Sequence, residues 1–227
     1  LMALFYAESI FAQVKISSVD LSRIEQKSVK KLIHDQQNSN LIYFTDLAPS
    51  LAGNDYDGYS SYIKKYVVKG SEEEVWQAYA NADQTKVWNN SKSSFAMLYS
   101  RQADRINYAD KPYFGLETGL IYYLNLKVLM GLYKLPVAFE ILKVDEGQKI
   151  IEMRYLKGGK AQGKQIIQFI ALKNGDTEIV HENYFRSESK FRDKYLYPFF
   201  HTRIINKFHH KIRKRINQQH REDEQLL

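Results

Sequence analysis

Cysteine is absent from this 227-residue chain. That excludes a disulfide framework, a thiolate nucleophile and any cysteine-based zinc site. It leaves the compartment open, because a chain of this length buries a core without cross-links. Long apolar runs are absent too. The richest stretch, Leu116 to Lys134, is interrupted by Glu117, Asn125, Lys127 and Lys134, and a membrane helix needs about 20 apolar residues in succession. GxSxG, HExxH, Walker and GxGxxG patterns are missing, so the common hydrolase, protease and nucleotide-binding chemistries have no foothold. Internal repeats and low-complexity tracts are missing as well.

Aromatic residues are what the chain has in quantity: 17 Tyr and 12 Phe, which suit half-buried strands and cavity walls. The formal net charge is +7, which favours acidic partners such as an anionic membrane surface or an acidic ligand. The apolar start, Leu1-Met2-Ala3-Leu4-Phe5-Tyr6-Ala7, precedes Glu8-Ser9-Ile10-Phe11-Ala12-Gln13. It reads as the end of a secretory signal peptide cut after Ala12, or after Ser9 with Ala7 at −3; the alternative is an ordinary strand or helix. The first reading makes the mature chain exported, periplasmic or extracellular; the second leaves it cytoplasmic. The expected division is 1–13 as signal remnant, 14–61 as N-terminal extension and 62–227 as the main domain.

In the extension, Leu21, Ile24, Val29, Leu32 and Ile33 predict a helix over 18–37. A loop rich in Gly, Ser and Asp follows over 46–61. Tyr62 to Val68 reads as a strand. Ser71, followed by Glu72, Glu73 and Glu74, predicts a capping box and a helix whose apolar face is Val75, Trp76, Tyr79 and Ala80; Val87 and Trp88 belong to a short second turn. Ser94 to Arg101 alternates as a strand, while Leu116 to Lys134 reads as a strand pair or as a strand followed by a helix or loop. Strands over 137–144, 149–156, 162–172 and 177–186, joined by short Gly-containing turns, predict an antiparallel meander. Phe200, Ile204, Phe208, Ile212 and Ile216 recur every four residues, an apolar stripe on a helix over 197–219 that starts at Pro198. A sheet with one apolar face must be covered, and this helix is the element able to cover it.

The fold class is therefore α+β. The order of elements, with "EEEVWQAYANADQTKVW" after the first strand and the long helix last, resembles the helix-grip superfamily over about residues 62–220. That START-like (SRPBCC) group includes START lipid-transfer domains, pollen-allergen-type proteins and polyketide cyclase/aromatase-like proteins. The resemblance implies a curved antiparallel sheet wrapped around the C-terminal helix, with a cavity between them for a hydrophobic small molecule or lipid. It implies no universal catalytic motif, cofactor or metal.

Alternation along the strands selects the cavity-facing residues. Phe139, Met153, Tyr155, Phe169 and Phe185 from the sheet, with Phe200, Ile204 and Phe208 from the helix, are the candidate wall. His181 and Asn183 fall on the same inner face. They orient a ligand's polar head, or they satisfy one another or a neighbouring tyrosine. His181, with Tyr155 in the same layer, is the residue a cyclase-like reaction would use as acid or base. His201 and His209 are eight residues apart, which does not suit one metal ion. Arg203, Lys207, Lys211, Arg213, Lys214 and Arg215 make the last helix basic, with no acid after them until Glu222. They form either a solvated helix back or a surface for anionic lipid head groups. Nucleic acid is not the expected partner, since the aromatic strand motif of RNA readers is missing.

Overall fold

A computed structural model describes residues 13–226 apart from 52, 54, 55, 112, 114, 188, 190 and 191. The signal-peptide reading of 1–13 falls almost wholly outside the described residues.

Eight strands form a single sheet: β1 (Ser60–Val68), β2 (Ser93–Ser100), β3 (Arg105–Tyr108), β4 (Leu120–Val128), β5 (Tyr133–Asp145), β6 (Ile150–Tyr155), β7 (Gln162–Ala171) and β8 (Thr177–Arg186). They run in the order β1-β8-β7-β6-β5-β4-β2-β3, and every neighbouring pair is antiparallel. The expected meander is β5 to β8. The ambiguous stretch 116–134 resolves as β4, a 3-10 turn at Leu129–Gly131 and the start of β5. Close approach between β7 and β8 depends on Gly163, which has φ +129°; a Cβ there would lie 1.9 Å from the Tyr184 carbonyl oxygen.

Four helices accompany the sheet: α1 (Lys27–Gln37), α2 (Glu72–Ala80), α3 (Gln84–Trp88) and α4 (Tyr197–Leu226). Ser71 caps α2 by accepting the Glu74 N–H at 3.3 Å. The Glu74 carboxylate is bound to His220 of α4, so it links two helices instead of closing the expected capping box. A π-helical turn, Arg192–Leu196, leads into α4, which runs seven residues beyond the expected Gln219. Ile204, Phe208, Ile212 and Ile216 are at most 5% exposed. They face Val68, Trp88, Phe139, Ile151, Met153, Ile167, Phe169 and Ile179 in one apolar core.

The extension occupies the other face. It starts with two 3-10 turns, Ile16–Ser18 and Leu21–Arg23, so the expected helix over 18–37 begins only at Lys27. Ile16, Val19, Ile24, Val29, Ile33, Phe44 and Leu47 pack on Met97, Tyr99, Tyr108, Ile121, Tyr123 and Ala138 as a second core. The sheet is covered on both sides, and the extension lies behind it instead of across the mouth of a cavity. Arg101 anchors this layer. Its guanidinium makes a paired contact with the Glu140 carboxylate at 2.7 and 3.1 Å, and donates to the Phe44 and Leu47 carbonyls at 3.1 and 2.6 Å. No helix among the described residues is long and apolar enough to cross a membrane.

Candidate functional site

Between sheet and α4 the structure has two spaces of unequal size. The inner one, about 20 Å³, is bounded by Tyr79, Trp88, Tyr122, Phe139, Met153, Phe208 and their neighbours. It has room for about one water molecule. The outer one is a cleft of about 180 Å³ at the start of α4. One wall is the β4–β5 hairpin, with Leu126, Val128, Leu129, Tyr133, Leu135 and Val137. The other is Leu196, Tyr197, Phe200, His201 and Ile204. Tyr155 and Ala161 complete the lining, which carries no Asp, Glu, Lys or Arg among the described residues.

The expected wall residues divide between these spaces. Tyr155, Phe200 and Ile204 line the cleft. Phe139, Met153 and Phe208 line the small inner void. Phe169 lines neither. It faces inward as expected, but at the α2 end of the sheet, where Trp76 and Tyr79 meet its ring edge-on at 5.5 and 4.9 Å and fill the space. Phe185 lies behind the cleft, stacked on Tyr197 at 3.9 Å.

His181 and Asn183 are on the inner face, 2% and 1% exposed, but neither lines the cleft. His181 is the middle of a buried chain of hydrogen bonds. Tyr79 Oη is 2.7 Å from His209 Nδ1, and His209 Nε2 is 2.8 Å from His181 Nδ1. His181 Nε2 is 3.0 Å from Gln165 Oε1, Gln165 Nε2 is 3.1 Å from Tyr155 Oη, and Tyr155 Oη is 2.9 Å from Tyr197 Oη. The chain therefore runs from the core at α2 to the cleft. Burial pushes the His181 imidazole down to about 3. Burial, followed by the neighbouring His181, holds His201 and His209 well below the ordinary imidazole range. All three rings are neutral at physiological pH. A second short link joins Tyr62 Oη to His201 Nδ1, and His201 stacks on Tyr197 at 5.0 Å. The Asn183 amide has no partner for either of its polar atoms among the described residues, and each such buried group costs about 1–3 kcal/mol.

Of the six basic residues singled out on α4 from the sequence, two have local duties. Lys211 donates to the Lys86 and Asn89 carbonyls at the end of α3, as cations at helix C-termini do. Arg213 is half-buried over the Tyr66 ring, 5.4 Å from its centre. Arg203, Lys207, Lys214 and Arg215 are exposed, with Arg203 lying 3.8 Å over the ring of Phe199.

No described protein family and no curated protein matches the sequence. Solved structures do. A point mutant of norcoclaurine synthase from Thalictrum flavum, in complex with a transition-state analogue, superimposes with a TM-score of 0.52 at 13% identity, over 71% of this chain and 96% of that one. Major latex-like protein 151 from Panax ginseng gives 0.51 at 8% identity, over 69% and 97%. The chain has the helix-grip fold. At such identities the likeness extends to the architecture alone, and the helix-grip cleft of this chain has to be read from its own residues. Gln165, Tyr197 and the hairpin wall were not among the candidate site residues read from sequence, and Tyr79 was read there only as part of the apolar face of α2. Gln165 carries a readable signal, since it shares the inward phase of β7 with Ile167 and Phe169. The others are brought in by tertiary contacts between segments far apart in the chain.

Proposed function

We propose that this chain binds a hydrophobic small molecule, or one end of a lipid, in the cleft between the β4–β5 hairpin and the start of α4. The observation that carries the reading is the cleft itself: about 180 Å³, with an apolar wall from the β4–β5 hairpin and the start of α4. Such a site works by desolvating the ligand, while a few polar groups set its orientation. An engineered apolar cavity of about 150 Å³ holds benzene, so this one suits a single ring with a short substituent. One solved helix-grip structure, the Thalictrum flavum norcoclaurine synthase, is a complex with dopamine and hydroxybenzaldehyde, single-ring molecules held by that protein. Binding is favoured over cyclase-like catalysis because the cleft wall has no carboxylate or lysine among the described residues, and because His181 does not line it and is separated from it by Gln165, Tyr155 and His201.

Saturation-transfer NMR with ethylbenzene tests this. The wild-type chain is expected to transfer saturation to the probe. Ala161→Phe, which places a ring in the cleft, is expected to abolish the transfer while thermal unfolding remains cooperative; Leu135→Trp serves the same purpose from the other wall. No transfer in the wild type, or undiminished transfer in both folded variants, would refute the proposal.

A second reading concerns the rim, and a specific observation favours it. Leu129, Leu132, Leu196 and Phe199 stand 53%, 86%, 40% and 49% exposed around the cleft mouth or on its two flanking segments. Those segments, 118–139 and 194–221, contain no acidic residue, but include Lys127, Lys134, Lys194, Arg203, Lys207 and Lys214. Exposed apolar side chains within a basic surround fit an anionic bilayer. On this reading the chain docks mouth-down on lipid, and the basic back of α4 is part of that surface. Co-sedimentation with vesicles containing phosphatidylserine is expected, weakening at high salt and falling several-fold in Leu132→Glu. Equal binding to pure phosphatidylcholine vesicles, or no effect of the substitution, would exclude it.

A further inference from the structure

The second half of α4 carries its cations on a face of its own. His210, Arg213, Lys214, Asn217, His220 and Arg221 recur at three- and four-residue intervals, so they share one side of the helix. The apolar stripe that ends at Ile212 and Ile216 occupies another. The last residues of β1, with Val67 and Val68, and Lys69 after them, pass beside that polar face, and together they enclose a groove of about 640 Å³. It is a separate place from the cleft. The α4 residues of the two sites are centred about fifteen positions apart, roughly 22 Å along the helix axis.

Both walls of the groove are cationic. Lys69 comes from the end of the strand, and Arg213, Lys214 and Arg221 come from the helix; among the described residues no Asp or Glu lines it. Two carboxylates belong to its surroundings, and both are engaged. Glu74 binds His220, and Glu178, across from Val67 in the β1–β8 ladder, pairs with Lys65 at 2.9 Å. Glu222, the next acid along α4, lines a different groove with Glu74. Elsewhere on the surface Lys31, Lys65, Lys86, Lys143 and Lys149 each have a carboxylate. Lys69, Arg213, Lys214 and Arg221 form no ion pair among the described residues. Arg213 lies over the Tyr66 ring, a contact that spends no N–H donor. Arg221 donates from Nε to the Asn217 carbonyl at 3.1 Å, which leaves its terminal nitrogens. Like charges on two walls of one groove repel each other until an anion sits between them.

Charge density selects the anion. One phosphate monoester carries about −1.5 to −2 at pH 7, so two phosphates match Lys69, Arg213, Lys214 and Arg221 within one groove. The arginine fork fits phosphate oxygens in pairs, and lysine serves as a point charge. Val67, 55% exposed, offers apolar surface to the uncharged body of a ligand. We infer that this groove is a second binding site, for a compact molecule bearing two or more phosphate groups. That chemistry has two sources, a soluble polyphosphorylated molecule and the bisphosphorylated head group of a lipid.

Inorganic pyrophosphate is the probe. Calorimetry is expected to show it binding about tenfold tighter than inorganic phosphate or better, the worth of one further set of charged hydrogen bonds. Methyl 13C–1H spectra are expected to show saturable shifts at Val67 and Val68, with Val128 and Val137 of the cleft unmoved. Lys69→Gln/Arg221→Gln changes one exposed residue on each wall. It is expected to lower pyrophosphate affinity about tenfold in a chain that still unfolds cooperatively. Leu132→Glu, at the rim of the cleft, is expected to leave that affinity unchanged, which separates this site from the bilayer-docking surface. Vesicles containing phosphatidylinositol bisphosphate distinguish the sources. Recruitment that pyrophosphate competes away assigns the site to a lipid head group, and tight pyrophosphate binding without recruitment assigns it to a soluble ligand. Pyrophosphate bound no tighter than phosphate, shifts that miss Val67 and Val68, or undiminished binding by the folded double variant would overturn the inference.

Discussion

Acidification from neutrality to pH 5 is expected to remove about 6 kcal/mol of folding stability. The cause is the three buried histidines. His181, His201 and His209 are neutral in the folded chain, with their protonation pushed far down by burial, whereas in the unfolded chain an imidazole takes up a proton near pH 6.5. Below that pH the unfolded state binds more protons than the folded state, so stability decreases as pH falls. The loss begins near pH 6.5 and approaches about 1.4 kcal/mol per pH unit for each histidine, about 4 kcal/mol per unit for the three together. It continues toward the folded-state value of His181, about 3. A domain with a typical stability of roughly 5–15 kcal/mol does not survive that slope to its end, so the chain is expected to unfold in acid well above pH 3. Urea unfolding at pH 7.5, 6.5, 5.5 and 5.0 measures the effect, and His201→Asn is expected to reduce the slope by about a third. A stability that is flat from pH 7 to 5 would show that these rings are not buried neutral groups.

The second large effect concerns the layer behind the sheet. Arg101→Met is expected to destabilise the chain by about 3–5 kcal/mol, because it leaves the Glu140 carboxylate, whose side chain is 6% exposed, without its cation. It also removes the donors to the Phe44 and Leu47 carbonyls, so residues 40–50 are expected to become the first sites of limited proteolysis. The Arg101→Met/Glu140→Met pair is expected to recover most of the lost stability, since the charge left buried in the single variant is then gone. Chemical denaturation of the three variants measures these differences. A single variant within about 1 kcal/mol of wild type would mean that the pair is solvated, and that the extension is held by its apolar contacts alone.

This layer also explains which parts of the fold were readable from the sequence. The strands from β6 to β8 were plain, because one face is apolar, the other is polar, and glycine turns separate them. Met153 and Tyr155 face inward as the alternation predicted, and so do His181, Asn183 and Phe185. β4 lacked that contrast. Tyr122 and Leu124 face α4 and α3, while Ile121 and Tyr123 face the extension, so β4 is buried on both sides and reads as an unbroken apolar run. The run 116–134 was ambiguous for the same reason that the extension has a role: the two cover each other. Leu21 and Ile24 gave a helical spacing without a helix, because 3-10 turns lying on a sheet place apolar residues at similar intervals. β3 was missed because it has only four residues, too few for an alternation to show.

The candidate site was legible in part. Strand phase and helix stripe brought Tyr155, Phe200 and Ile204 to a common space, and they do line the cleft. Strand phase cannot say where along the inner face the space lies. That depends on how completely Trp76, Tyr79 and Trp88 fill the α2 end, which is a matter of packing. The hydrogen-bond chain depends on groups from α2, β6, β7, β8 and α4 meeting in three dimensions, and no local pattern announces it.

Methyl 13C–1H correlation spectra recorded during a titration with ethylbenzene locate the ligand directly. Saturable shifts are expected for Leu126, Val128, Leu135, Val137 and Ile204, with Val29 and Ile33 on the far side of the sheet unmoved. Shifts confined to the far side, or none at millimolar probe, would contradict a ligand cleft between the hairpin and α4.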